Sequence, residues 1–141
     1  MSTRSLICIQ KENEIDTKYC HWDGYPSNNG VLLFENYKEE HEVEELLVND
    51  EYISSLGASV EETAYGGEQQ NTSYSREDNI QLFLEEDLIN DADNYWAEYI
   101  YLFKNGEWYV AECYEESKKV GFVLLEVVLD NDGKIPHMKT I

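Results

Sequence analysis

The apolar positions fall into distinct patterns along the chain, and each predicts a different element. Residues 5–10 and 18–22 are short β-prone runs separated by the polar stretch 11–17, Lys-Glu-Asn-Glu-Ile-Asp-Thr. Two such runs about a polar connection predict a β-hairpin with a longer loop. Asp23-Gly24 forces a turn, and Pro26 pins the chain in an extended or turn conformation. A helix is expected to begin near 27–30 and carry Val31, Leu32, Leu33 and Phe34 toward Tyr37. Val43, Leu46 and Leu47 then recur at three- and four-residue spacing among acidic neighbours, which predicts a second, amphipathic helix. Residues 52–57 close this unit.

Residues 58–78 are polar and poor in aliphatics, and they include Gly66-Gly67 and Gln69-Gln70-Asn71-Thr72-Ser73. That composition predicts a long, weakly ordered, flexible loop. Helical spacing returns over 80–95, with Leu84, Leu88 and Ala92 in one stripe. The clearest strands come next: 98–103 and 107–114 alternate around Asn105-Gly106, the strongest short-range hairpin signal. A third strand is expected over 121–129, ending at the Asp130-Asn-Asp-Gly133 turn. Helices and antiparallel hairpins in separate blocks predict an α+β fold. Its parts would be an N-terminal β-hairpin, acidic helices in the middle and a C-terminal antiparallel β-meander, within one domain spanning residues 1–141.

Composition narrows the function classes. With 42% hydrophobic and 13% aromatic residues in 141, the chain can bury a core. Thirty Asp and Glu against ten Lys and Arg give a net charge of −20, which opposes direct binding to nucleic acid or an anionic membrane. No apolar stretch reaches membrane length, and the apolar run within residues 1–10 is too short for a signal-peptide core. Cys8, Cys20 and Cys113 are odd in number, lack CxxC spacing and lie in strand-like runs. Reduced, buried thiols in a cytoplasmic protein are therefore expected. Without a secretory route the Asn71-Thr72-Ser73 glycosylation triplet reads as a polar loop.

No catalytic or cofactor motif stands out, and neither a cofactor nor a metal is expected. His21, His41 and His137 have no ligand spacing. Cys20 and His21 are adjacent, so on a strand they point to opposite faces and cannot act as nucleophile and base. Asp130-Asn-Asp-Gly133 opens like a calcium loop but lacks the later ligands and flanking helices, so it reads as a turn. Arg4, His21, Trp22, Asp23 and Tyr25 would gather at one sheet end, beside a helix start near Asn28 and Gly30. Two readings follow: a pocket for a small anion, nucleotide or carboxylate, or a structural staple in which Arg4 pairs with Asp23 and Gly24 supplies a positive φ.

The opening Met1-Ser-Thr-Arg-Ser-Leu-Ile7, Tyr19-Cys-His-Trp-Asp-Gly-Tyr-Pro26, Gly30 with Leu32-Leu33 and Tyr37, Ile53-Ser-Ser-Leu-Gly57 and Tyr101-Leu-Phe-Lys-Asn-Gly-Glu-Trp-Tyr-Val110 together span most of the chain. In these motifs the sequence resembles a family of small acidic bacteriophage and prophage proteins. The resemblance implies a viral origin, and small phage accessory proteins often act against host defence.

The charge is also concentrated. Residues 39–103 hold eighteen acids and one basic residue, Arg76, which accounts for −17 of the −20. Acidic helices can imitate part of the phosphate field of DNA, about one charge per 1.7 Å of duplex axis. Glu39, Glu40, Glu44, Glu45, Glu85, Glu86, Asp87 and Asp91 are the candidate partner-binding residues. The expected partner is a host protein with a basic, nucleic-acid-binding surface, and the expected function is a non-enzymatic anti-CRISPR or anti-restriction inhibitor. The alternative is a small-molecule or nucleotide-binding protein, or a hydrolase, using the Arg4, His21, Asp23 and Tyr25 cluster. Tyr95, Trp96, Tyr99, Tyr101, Trp108, Tyr109 and Tyr114 would supply core packing and, where exposed, interface anchors.

Overall fold

The computed structural model describes residues 3–11, 14–68, 72–75, 88–90, 92, 96–114 and 120–134. β1 (Ser5–Gln10) and β2 (Glu14–Cys20) form the expected antiparallel hairpin, from Ser5 opposite Cys20 to Gln10 opposite Ile15. The strand extends further into the polar stretch than predicted. Ile15 and Thr17 are buried on the same face as Leu6 and Cys8, so only alternate residues of 14–17 need be polar.

A π turn (Pro26–Gly30) leads directly into α1 (Val31–Asn36), and α2 (Glu40–Leu47) follows with Val43, Leu46 and Leu47 buried. The chain then returns to the sheet as β3 (Glu51–Ser55), placing Ile53 beside Cys20 of β2. Within the polar stretch 58–78, expected as a loop, the described residues 58–68 and 72–75 carry regular structure. They contain a turn in which Thr63 Oγ1 donates to the Ser59 carbonyl at 2.8 Å, then β4 (Ala64–Glu68) on β3 and β5 (Thr72–Ser75) on β2. Residues 69–71 and 76–78 of that expectation lie outside the described residues. Backbone pairing makes these strands without aliphatic burial. Gly66 contributes by having no side chain: a Cβ there would lie 2.2 Å from Cζ of Tyr52.

β6 (Tyr99–Lys104) and β7 (Glu107–Glu112) form the predicted hairpin, with Asn105 at φ +53° and Gly106 at φ +79°. Both central residues at positive φ mark the turn type that matches strand twist. The two hairpins are not separate blocks. β1 runs parallel to β6, Ser5 beside Tyr99 through Ile9 beside Phe103, giving one mixed sheet in the order β4-β3-β2-β1-β6-β7-β8, with β5 also on β2. The third strand expected over 121–129 is shortened to β8 (Val123–Leu124) and gives way to α3 (Leu125–Asp130). Leu125 and Val128 are buried three residues apart while Val127 is 45% exposed, a helical pattern rather than alternation.

Both faces of the sheet are covered. Ile7, Ile9, Cys20, Ile53, Tyr101 and Phe103 pack against the three helices through Leu33, Val43, Leu46, Leu125 and Val128. On the opposite face Leu6, Cys8, Ile15, Ile100 and Leu102 meet Leu88 and Ala92. Residues 88–90 are α-helical and Ala92 lies in a 3₁₀ turn; the rest of the helix expected over 80–95 lies outside the described residues. The fold is α+β. Among the described residues no helix is long and apolar enough to cross a membrane.

Candidate functional site

The acidic helix α2 is positioned by its own sequence. Glu39 and Glu42 form a capping box: Glu39 caps the third helical N–H, and Glu42 Oε1 accepts from the backbone N–H groups of Lys38 and Glu39, each at 3.0 Å. With Val43, Leu46 and Leu47 turned inward, Glu39, Glu40 and Glu45 are exposed and Glu44 half-buried. Glu44 pairs with Lys11 at 3.0 Å, and this hydrogen bond raises the pKa of the Lys11 ammonium. A cleft of about 300 Å³ joins the helix to the 58–61 turn and brings Glu42, Glu45 and His41 together with Glu61. Residues 39–68 hold ten acids and no Lys or Arg. The other candidate acids, Glu85, Glu86, Asp87 and Asp91, lie outside the described residues.

The Arg4–Tyr25 cluster is built differently from the expected staple. Lys11 forms ion pairs with Asp16 and Glu44, and no ion pair joins Arg4 to Asp23. Alternation explains this, because Arg4, just before β1, continues the face of Leu6 and so sits with Tyr19, not with the turn beyond His21. Burial raises the pKa of the Tyr19 hydroxyl, and Arg4 beside it offsets part of that rise. Tyr19 Oη lies 2.8 Å from His21 Nδ1 in a hydrogen bond. The His21 ring meets the Trp22 ring edge-on at 4.6 Å, and Tyr52 stands 5.9 Å from Tyr19 on its other side. This aromatic row was missed from the sequence, although the alternation of Tyr19 and His21 was its signal.

Asp23 and Tyr25 form a second group, with Tyr25 Oη donating to Asp23 Oδ1 at 3.2 Å. That bond and the neighbouring carboxylate raise the pKa of the Tyr25 hydroxyl. The positive φ falls on Asp23, at +55°, not on Gly24. Gly24 is required for close approach instead: a Cβ there would lie 2.8 Å from both the Thr3 carbonyl and Ser5 Cβ. Its own carbonyl accepts from the buried Tyr101 hydroxyl at 2.5 Å.

Behind this end of the sheet lies a buried polar knot. Asn29 Nδ2 donates to Cys20 Sγ at 3.3 Å and to Ser5 Oγ at 3.4 Å, tying the π turn to the hairpin. Burial raises the pKa of the Cys20 thiol, and as expected its side chain lies on the opposite face from His21. Cys8, Cys20 and Cys113 are all free and buried. No group of three His, Cys, Asp or Glu able to hold a metal occurs among the described residues. Asp130–Gly133 is a turn that closes α3, with Gly133 N–H donating to the Val128 carbonyl at 2.9 Å.

No protein-family model matches the chain, no curated protein matches its sequence and no solved structure matches its fold.

Proposed function

We propose that the chain is a non-enzymatic, phage-encoded inhibitor of a host defence protein, and that it occupies a basic, nucleic-acid-binding groove with the acidic wall formed by α2 and the 58–62 turn. The observation that carries this reading is the wall itself: Glu39, Glu40, Glu45, Glu61 and Glu62 are exposed within a 30-residue span that contains no Lys or Arg. Such a surface repels anions and draws a basic groove toward it, and charge complementarity speeds docking. The Arg4 and Asp23 groups, engaged with different partners, offer no comparable convergence.

The decisive variants are Glu40→Lys, Glu45→Lys and Glu61→Lys together. Glu39 and Glu44 are left intact because one caps the helix and the other holds Lys11. Cleavage of DNA by restriction and CRISPR nucleases of the host is measured with native and triple-variant protein. Inhibition by the native chain should be relieved by excess non-substrate DNA and by raising salt from about 50 to about 200 mM, where phosphate-like contacts weaken steeply. The triple variant should keep the native circular dichroism spectrum and fail to inhibit. Equal inhibition by the variant, or indifference to competing DNA, would overturn the proposal.

A further inference from the structure

β4 ends the sheet on its side: among the described residues it pairs with β3 and with no strand beyond it. Alternate N–H and C=O groups of such a strand face outward, and an open edge is a template for another chain. Its sequence, Ala-Tyr-Gly-Gly-Glu, has none of the Pro or Lys that commonly blunt an edge, and Ala64, Gly67 and Glu68 are exposed. The strand is held in place. Tyr65 Oη donates to the Leu46 carbonyl at 2.7 Å, which ties β4 to the end of α2. Between the Ile53–Tyr65 and Glu51–Glu68 pairs, Gly66 and Gly67 together oppose the single Tyr52 of β3, a β-bulge that takes one residue out of the ladder. The Tyr52 ring fills the space a side chain at Gly66 would need, whereas a Cβ at Gly67 would meet nothing nearer than 3.9 Å.

The charge around this edge has one sign. Residues 50–68 hold five acids and no Lys, Arg or His, with Glu61 and Glu62 exposed just ahead of β4 and Glu68 exposed at its end. Glu68 stands directly opposite Glu51, and a like-charge cross-strand pair costs stability. Lys18 lies near Glu51 but is buried on β2, so the outer carboxylate is left at the rim. We propose that β4 takes up an extended basic segment of a partner protein as an additional strand. Main-chain bonds to the open edge supply affinity, and a Lys or Arg of the segment meets Glu68 and relieves its repulsion with Glu51. A second copy of this chain is a poor occupant, because it would bring another bulged edge and another net charge of −20. A flexible segment can follow the bend at Gly66-Gly67. The site stands on the sheet edge and does not depend on α2 filling a nucleic-acid-binding groove.

The test titrates the intact, isotope-labelled protein with a capped heptapeptide, Lys-Val-Thr-Val-Thr-Val-Lys, and follows the backbone amides by NMR. Two control peptides accompany it: one of the same charge, N-methylated at its central residues so that it cannot donate to β4, and one with Glu in place of both Lys. The basic peptide should shift the Gly66, Gly67 and Glu68 amides saturably and slow their hydrogen exchange. Both controls should bind about tenfold or more weakly, as the loss of two or three hydrogen bonds or of the charge match implies. Glu68→Gln should weaken the basic peptide about two- to fivefold, as for one exposed charge contact, and should leave the urea midpoint unchanged or raised because a like-charge pair is gone. Shifts confined to α2 and the 58–62 turn would overturn the edge site while leaving the acidic wall intact. Equal binding of the N-methylated peptide would reduce the contact to charge alone, and β4 shifts that grow with protein concentration in the absence of peptide would make a second copy the occupant. Either result, unchanged affinity in Glu68→Gln, or no saturable shift at β4 would likewise overturn the proposal.

Discussion

Lys18 shows how a single residue can be polar by type and structural by position. It is fully buried on the helix-facing side of β2, where its ammonium donates to the Asn49 carbonyl at 2.9 Å, to Asn49 Oδ1 at 2.7 Å and to the Glu51 carbonyl. All three N–H groups thus have partners, and the charge ties β2 to the segment that links α2 to β3. Burial nevertheless pushes its pKa down to about 8 from an ordinary 10.5. Between those values the unfolded chain binds more protons than the folded one, so this group makes stability rise with pH, by at most about 1.4 kcal/mol per pH unit. Cys8, pushed up to about 12 by burial, acts oppositely from pH 9 upward, and Tyr65 and Tyr99, also near 12, act so from pH 10 upward. Urea unfolding of native protein and Lys18→Met isolates the lysine. Their difference should be flat below about pH 7 and move in favour of the native chain from about pH 8 to 10.5; a flat difference throughout would mean that the ammonium is not desolvated.

At the level of elements, α3 gives the sharpest contrast between sequence and structure, and it is directly testable. If residues 125–128 were strand, Leu125 and Val127 would share a face; in the helix Leu125 is buried and Val127 exposed. Leu125→Ala should therefore cost about 2–5 kcal/mol, whereas Val127→Lys should stay within about 0.5 kcal/mol. Comparable losses in denaturant midpoint for the two would restore the strand. The elements legible in the sequence were those whose pattern is local: the Asn105-Gly106 hairpin and the Val43, Leu46, Leu47 stripe of α2. Those missed depend on distant partners. β4 and β5 bury few aliphatics and exist because β3 and β2 present backbone to pair with, and the parallel contact of β1 with β6 joins residues some ninety positions apart. The same division runs through the candidate sites. The acids of α2 could be placed by periodicity, but whether Arg4 meets Asp23 depends on which face each residue takes, which only the register of the hairpin decides.

Across the whole molecule, the parallel β1–β6 contact sets what the charge can do. Because one sheet carries both hydrophobic clusters, repulsion among the acids of α2 and the 58–62 turn acts on an element packed directly against that sheet. Residues 39–68 contain ten acids without a Lys or Arg, and compensation comes from outside the segment, through Lys11 at Glu44 and Lys18 near Asp50 and Glu51. Repulsion of this kind lowers stability at low ionic strength and is screened as the Debye length falls from about 30 Å at 0.01 M salt to about 10 Å at 0.1 M. The urea midpoint of the native chain should therefore rise over that range of sodium chloride. Replacing Glu40, Glu45 and Glu61 by Lys should raise the low-salt midpoint and flatten its salt dependence, since part of the repulsion has been converted to attraction. The opposing term is the first turn of α2, where Lys in place of Glu40 meets the positive end of the helix and costs about 0.3–1 kcal/mol. A low-salt gain that survives this cost means that the acids of the wall act on one another through space and are retained at the expense of stability, as a surface kept for a partner would be. If native and variant midpoints instead climb in parallel with salt, the excess charge is too dispersed to form a field, and a groove-filling role for α2 loses its physical basis.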